Sequence, residues 1–246
     1  LTDRERWVSV EGKSAADAVC LVLGSRSSIA RTHPPIKGVW GAQVAGAAIV
    51  TFNSDAYESY GHAQGDNAPV SEAAAFAYTT ALNRFLEKDS GHRIQIGDAS
   101  TVFWAEAEDA DVAEEAEALF AAYTDPKADE AINTSKIAAQ LEKIRNGKRL
   151  AEVSPKLDQS VRFYVLGLAP NAARLSVRFY WESDFGQLTA NYQLYVEDTQ
   201  LEPPPRDGWP PLWRYLRELA VLGKSENVTP NLAGDWMRAI LTGTPY

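Results

Sequence analysis

Apolar and polar residues follow two different periods along this chain, and one long stretch follows neither. Ala74, Ala75, Tyr78, Ala81, Leu82, Phe85 and Leu86 recur at spacings of three and four, which places them on one face of a helix that Ser71 can cap. Val112–Tyr123 and Lys136–Ile144 read as two more amphipathic helices, parted by a break at Pro126, with Gly147 ending the second. Alternation with period two marks Ile94–Ile96 and Thr101–Trp104 as a hairpin around Gly97 and Asp98. It also marks Ser160–Leu168 and Arg174–Trp181 as strands separated by Ala169-Pro170-Asn171-Ala172. Asp184 stands where it can cap a helix running through Leu188 and Tyr195. The short apolar runs Val19–Leu23 and Ala47–Phe52 read as buried strands. Pro203-Pro204-Pro205 and Pro210-Pro211 form a stiff linker before helices at Leu212–Leu222 and Leu232–Leu241.

These elements predict an α+β fold, with mixed or antiparallel sheet elements, packed helices and a helical end. Composition places a boundary near residue 202, giving an α+β body over 1–202 and a Pro-rich linker with a helical segment over 203–246. Within the body, residues 160–198 form a strand, turn, strand and helix, half of a ferredoxin-like unit by pattern. With 246 residues, 45% of them hydrophobic, the chain can bury a real core. It begins at Leu1 and its only methionine is Met237, so it is expected to be a fragment of a longer protein.

The stretch without a period runs from His33 to Ser71. Gly38, Gly41, Gly46, Gly61 and Gly65 interrupt it among amides, hydroxyls and aromatics, and glycine permits close backbone approach and positive φ. Such a run is suited to loops that meet another molecule. Lys37 follows Pro34-Pro35-Ile36 and precedes Gly38, so a cation projects from a stiffened loop. Gln43, Asn53, Gln64 and Asn67 each carry a donor and an acceptor, the capacity needed at base edges or phosphates. Tyr57 and Tyr60 can stack on bases. The same residues also suit plain structural work: Asn53 and Asn67 as Asx turns, Tyr60 as filler, Lys37 as a solvated cation.

Net charge is −9, which argues against broad phosphate binding. Its distribution softens that point, because residues 1–49 carry a surplus of two positive charges. Glu106, Glu108, Asp109, Asp111, Glu114, Glu115 and Glu117 instead gather where a helix begins, a placement the macrodipole favours. Lys136, Lys143, Arg145, Lys148 and Arg149 lie just downstream, placed either to touch a nucleic-acid backbone or to pair with the acidic segment. Arg174 and Arg178 alternate along a strand and read as outward side chains. Cys20, the single cysteine, sits in an apolar run and reads as a buried thiol. No apolar run approaches the ~18 residues of a membrane span, and a cytoplasmic location is expected, since no internal disulfide can form. Asn133-Thr134-Ser135 and Asn227-Val228-Thr229 fit the glycosylation pattern and read as ordinary polar surface.

Catalytic patterns are sparse. Gly12-Lys13-Ser14 and Gly223-Lys224-Ser225 end like phosphate loops, but Trp7 and Glu218 occupy the positions that require glycine. There is no G-x-S-x-G elbow and no H-E-x-x-H, and His33, His62 and His92 lie far apart. Asp55, Glu58 and Asp66 could gather a divalent cation for phosphodiester hydrolysis, and the acidic cluster at 106–117 leaves a metal site or a surface for a basic partner open as well. No catalytic residue, cofactor or metal is assigned, and an enzyme is not expected.

Four blocks in order carry a resemblance: Ala30 through Gln43 in the form ARxHPxIKGVxGAQ, the strand-like Val50–Asn53, Ser59 through Ser71 in the form SYGxxQxxNAPVS, and Phe163 through Ser176, with Asn231-Leu232-Ala233-Gly234 behind them. In these the chain resembles the large subunit of the type I-C CRISPR surveillance complex, the RNA-guided Cascade assembly. His62 departs from the pattern, where the family often has a lysine. The resemblance implies a non-catalytic subunit that recognises the protospacer-adjacent motif on double-stranded DNA, aids strand opening and docks a helicase-nuclease. Its implied partners are the crRNA-containing Cascade subunits, target DNA and that effector. Lys37 and Gln43 lead the candidate DNA contacts, with Asn53, Tyr60, Gln64 and Asn67 behind them. A metal-dependent nucleic-acid hydrolase and a purely structural scaffold subunit are the alternatives.

Overall fold

The computed structural model describes residues 17–124, 136–203, 210, 212–224 and 227–245. Gly12-Lys13-Ser14, the Pro126 break, the Asn133 triplet, Ser225 and nearly all of the Pro-rich linker lie outside them. Contacts divide the chain into two units: residues up to Glu87 with Pro170–Ser176, and Lys88–Ala169 with Val177 onward. The compositional boundary near 202 marks a change in sequence character, whereas packing places the C-terminal helices in the second unit.

In the first unit, β1 (Asp17–Val19) pairs antiparallel with β2 (Arg26–Ser28). The strand expected at Val19–Leu23 is corrected here. The chain turns back after Cys20, with the Gly24 N–H donating to the Cys20 carbonyl at 2.8 Å and Gly24 at φ +68°. Cys20 is buried, but Leu21, Val22 and Leu23 are exposed. A short apolar run carries no period of its own, and here the glycine decides the outcome. The strand expected over Ala47–Phe52 likewise shrinks to isolated bridges, Ala47 with Ile36 and Ala48 with Arg174.

The Ser71 cap is present: its hydroxyl accepts the Ala74 N–H at 3.2 Å at the start of α1 (Glu72–Phe85). The buried stripe is Ala74, Ala75, Thr79 and Leu82, continued by Leu86, while Ala81 faces outward. Alanines let the backbone of this helix approach the cluster of Cys20, Ala30 and Val70 closely, with Tyr78 packed against it.

The second unit is a four-stranded antiparallel sheet, ordered β3 (Arg93–Ile96), β4 (Ala99–Glu106), β5 (Arg162–Asn171), β6 (Arg174–Asp184). The β3–β4 hairpin turns at Gly97 as expected, and β4 sets Trp104 opposite Tyr164 and Phe103 opposite Val165. Between β4 and β5 come α2 (Ala110–Thr124), α3 (Lys136–Arg145), α4 (Leu150–Val153) and α5 (Pro155–Gln159). The expected strand, turn, strand and helix at 160–198 is completed by α6 (Phe185–Asp198). Its setting differs from the ferredoxin-like expectation, because the strands lie in sequential order, as in a meander interrupted by helices. Asp184 holds the N-cap position of α6, but its side chain makes no capping hydrogen bond.

Phenylalanine fixes this core. Phe103, Phe120, Phe163 and Phe185 are buried, with centroid separations of 4.9 Å for 103–120, 5.0 Å for 120–163 and 5.1 Å for 163–185. Each ring contributes about 1.5–3 kcal/mol by leaving water. Gly167 makes room for another ring, since a Cβ there would sit 2.5 Å from Phe179. The helix expected over Leu212–Leu222 is shorter: α7 (Leu212–Glu218) ends before a 3-10 turn in which Leu222 has φ +60°. The last helix, α8 (Pro230–Thr242), brings Ala233, Met237 and Leu241 into the same core and stops at Gly243, φ +66°.

Candidate nucleic-acid interface

The glycine-rich run occupies the first unit, and its loops are anchored through their backbone. The Lys37 N–H donates to Asn83 Oδ1 of α1 at 2.7 Å, and Asn83 Nδ2 donates back to the Pro35 carbonyl at 3.2 Å. Ile36 pairs with Ala47 across the loop and is fully buried. Gly38 adopts φ +84° with Leu86 against it, so that a Cβ would lie 2.8 Å from the Leu86 carbonyl oxygen. Between these anchors the Lys37 and Gln43 side chains are exposed, beside Trp40 and Val44. Among the described residues, the Lys37 ammonium forms no ion pair.

The second loop, 59–67, is braced by one side chain. Asn67 Oδ1 accepts the Ser59 N–H at 3.1 Å, while its Nδ2 donates to the carbonyls of His62 at 3.1 Å and Gln64 at 3.0 Å. The His62 N–H also donates to the Ser59 carbonyl, closing a tight turn whose central residues, Tyr60 and Gly61, have φ +53° and +76°. This sign pattern belongs to a type I′ turn, which favours Asn and Gly. A tyrosine is strained there, and Tyr60 is 98% exposed. Gly65 lies under the loop against the chain at Ala30, where a Cβ would meet the Ala30 carbonyl oxygen at 2.0 Å.

The structure therefore sorts the six predicted site residues by use. Lys37, Gln43 and Tyr60 present their side chains to solvent. Asn67 is committed to its own loop, Gln64 accepts Arg31 Nη1 at 2.8 Å, and Asn53 Oδ1 accepts Arg174 Nη2 at 3.1 Å. Tyr60, Gln64 and Asn67 share one loop; Lys37 and Gln43 share another. Sequence reading missed three supports. Arg31 holds Gln64, Asn83 holds the Lys37 loop, and Arg174, set aside as an ordinary outward side chain, stacks its guanidinium 3.9 Å from the centre of the Tyr57 ring. Each partner is remote in sequence, so no local pattern announces it.

Other candidates resolve differently. His33 is buried, its Nδ1 2.6 Å from the Tyr78 hydroxyl, and burial lowers its pKa, which favours the neutral ring. Asp55, Glu58 and Asp66 are exposed, and among the described residues no three His, Cys, Asp or Glu side chains are gathered as a metal ion would require. Within the acidic segment, Glu115 accepts Lys136 Nζ at 2.7 Å and Gln140 Nε2 at 2.6 Å, while Glu117 accepts the Ala105 N–H. Lys143, Lys148 and Arg149 of the neighbouring basic cluster are exposed. No described helix is long and apolar enough to cross a membrane.

Among protein families, that of the CRISPR-associated protein Cas_Csd1 matches residues 3–246. No curated protein matches the chain.

Proposed function

The chain belongs to the CRISPR-associated Cas_Csd1 family, and from that premise we propose that it recognises the protospacer-adjacent motif on double-stranded DNA as a non-catalytic subunit of an RNA-guided Cascade complex. In this reading it also helps to open the duplex and docks the helicase-nuclease. The observation that carries the proposal is the contrast within the glycine-rich run. Its backbone is pinned by Asn83, Asn67 and buried Ile36, yet Lys37, Gln43 and Tyr60 are left outward. A rigid loop that exposes a cation, an amide and a flat ring has the parts of a short-motif reader. The cation meets phosphate, the amide meets a base edge, and the ring stacks.

Net charge −9 is compatible with this task, because guide pairing reads the target sequence and the protein needs only a local patch. Asn53, Gln64 and Asn67 act as positioning residues. The reading is tested in the reconstituted complex, by titrating duplexes with a correct or scrambled adjacent motif at two salt concentrations. Lys37→Ala should weaken both duplexes alike and reduce the salt slope by about 1. Gln43→Ala should remove about 1–3 kcal/mol from the correct duplex alone. If motif preference survives both changes in a complex that assembles and holds its guide, the segment is scaffold. Turnover of DNA that needs divalent metal and is lost in Asp55→Ala would instead establish the hydrolase.

A further inference from the structure

On the second unit, three adjacent strands build a shelf of half-buried Trp104 and Tyr164 and exposed Tyr180 that the DNA reading does not use. Trp104 of β4 lies opposite Tyr164 of β5, their rings 5.0 Å apart and within 8° of parallel. The next pair along the same face is Glu106 with Arg162, and β6 adds Tyr180 and Glu182. Hydrogen bonds join them: Tyr164 donates to Glu106 at 2.9 Å, Arg162 to Glu182 at 2.7 Å, and Tyr180 to Glu182. Tyr180 remains 52% exposed, and the side chains of Arg162 and Glu182 are exposed by 51% and 40%. The stacked Trp104–Tyr164 pair supports the sheet, but exposed ion pairs contribute little to folding, so sheet stability does not account for the charged edge.

The charges of the shelf select a partner. Tyr180 and Arg162 hold the Glu182 carboxyl below its usual range, and Glu182 pushes the Tyr180 phenol up to about 12. With Glu106 beside Tyr164, two carboxyl groups stand on this edge against one guanidinium. Phosphate would meet those carboxylates at close range. A guanidinium meets what it needs: an aromatic face to lie on and carboxylate oxygens beside it to accept its N–H groups. We propose that the Trp104, Tyr164 and Tyr180 shelf, edged by Glu106 and Glu182, is a docking surface for an arginine-bearing segment of a partner protein. Arginine is preferred to lysine because a planar fork can stack and bridge carboxylates at once.

The full chain is titrated with a nona-arginine peptide, a nona-lysine peptide and a ten-residue oligothymidylate, by calorimetry and tryptophan fluorescence. Nona-arginine should bind at least 5-fold tighter than nona-lysine, and Tyr180→Ala or the pair Glu106→Gln and Glu182→Gln should weaken it at least 5-fold. Tyr180→Phe, which keeps the ring, should retain more of the affinity than Tyr180→Ala. Circular dichroism checks that each variant folds. Peptide binding that none of these changes alters would be attraction to the acidic chain at large and would overturn the proposal, as would oligothymidylate binding that is lost in Tyr180→Ala.

Discussion

The two units are held together by different chemistry. In the second, buried phenylalanines fill the space between an antiparallel sheet and its helices. In the first, one apolar cluster consists mainly of alanines with one valine and one cysteine, and Ile29, Ile36, Leu82 and Leu86 are buried besides. There the chain's course is set by amide side chains and glycines, through Asn67, Asn83, Gly38 and Gly65. The difference shows what an irregular segment requires. A loop with few apolar contacts becomes rigid only if its backbone groups are satisfied by particular side chains. Once they are, the residues not used for holding it stay available for contact. Lys37, Gln43 and Tyr60 are the residues left over.

The contrast can be broken most severely from the apolar side. Phe163→Ala should destabilise the second unit by about 3–5 kcal/mol, seen as a lower denaturation midpoint with accelerated amide exchange across β4 and β5. Exchange at loop 59–67 should change far less. Gly65→Ala tests the other side. Its Cβ would press on the Ala30 carbonyl, so the loop must shift, costing about 1–3 kcal/mol. Protection of the Gly65 amide, which donates to Arg31, and of the Ala30 amide, which donates to Val70, should fall while the sheet amides keep theirs.

A smaller effect is expected from Asn67→Ala. It removes three hydrogen bonds from a partly exposed loop, for about 1–2 kcal/mol of local stability. Amides at Ser59 and His62 report it by faster exchange. The smallest effect is that of pH. Burial lowers the His33 pKa in the folded chain, so between that value and the free imidazole value of about 6.5 the unfolded chain binds more protons. Stability of the first unit should therefore be complete above about pH 6.5 and decline as pH falls below it. A His33→Gln variant should flatten that slope, and the His33 ring should titrate below a free imidazole by nuclear magnetic resonance.

Legibility in the sequence divides along the same line. The Ser71 cap, the Gly97 hairpin, α2 and α3 are local patterns, and each forms where its spacing places it. Val19–Leu23 misleads because a short apolar run fits a strand or a turn equally, and only the three-dimensional course of Gly24 separates them. Ala47–Phe52 fails as a strand because only isolated bridges reach it. In the candidate interface, the glycines and amides of 33–71 mark an irregular segment held by its own hydrogen bonds, while the division between outward side chains and supporting ones does not show. Asn67 and Gln43 are equivalent as residue types. What distinguishes them is that one has three backbone partners within eight residues and the other is exposed, a property of the fold.

Tyr60 offers the most direct test, since a strained, exposed ring at the loop tip has no structural reason to be tyrosine. In the reconstituted complex, a Tyr60→p-benzoylphenylalanine variant would be irradiated with duplexes carrying the correct or a scrambled adjacent motif. The account predicts a crosslink to a nucleotide in or next to the motif, with yield falling when the motif is scrambled. A crosslink only to protein, or one indifferent to the motif, would contradict it.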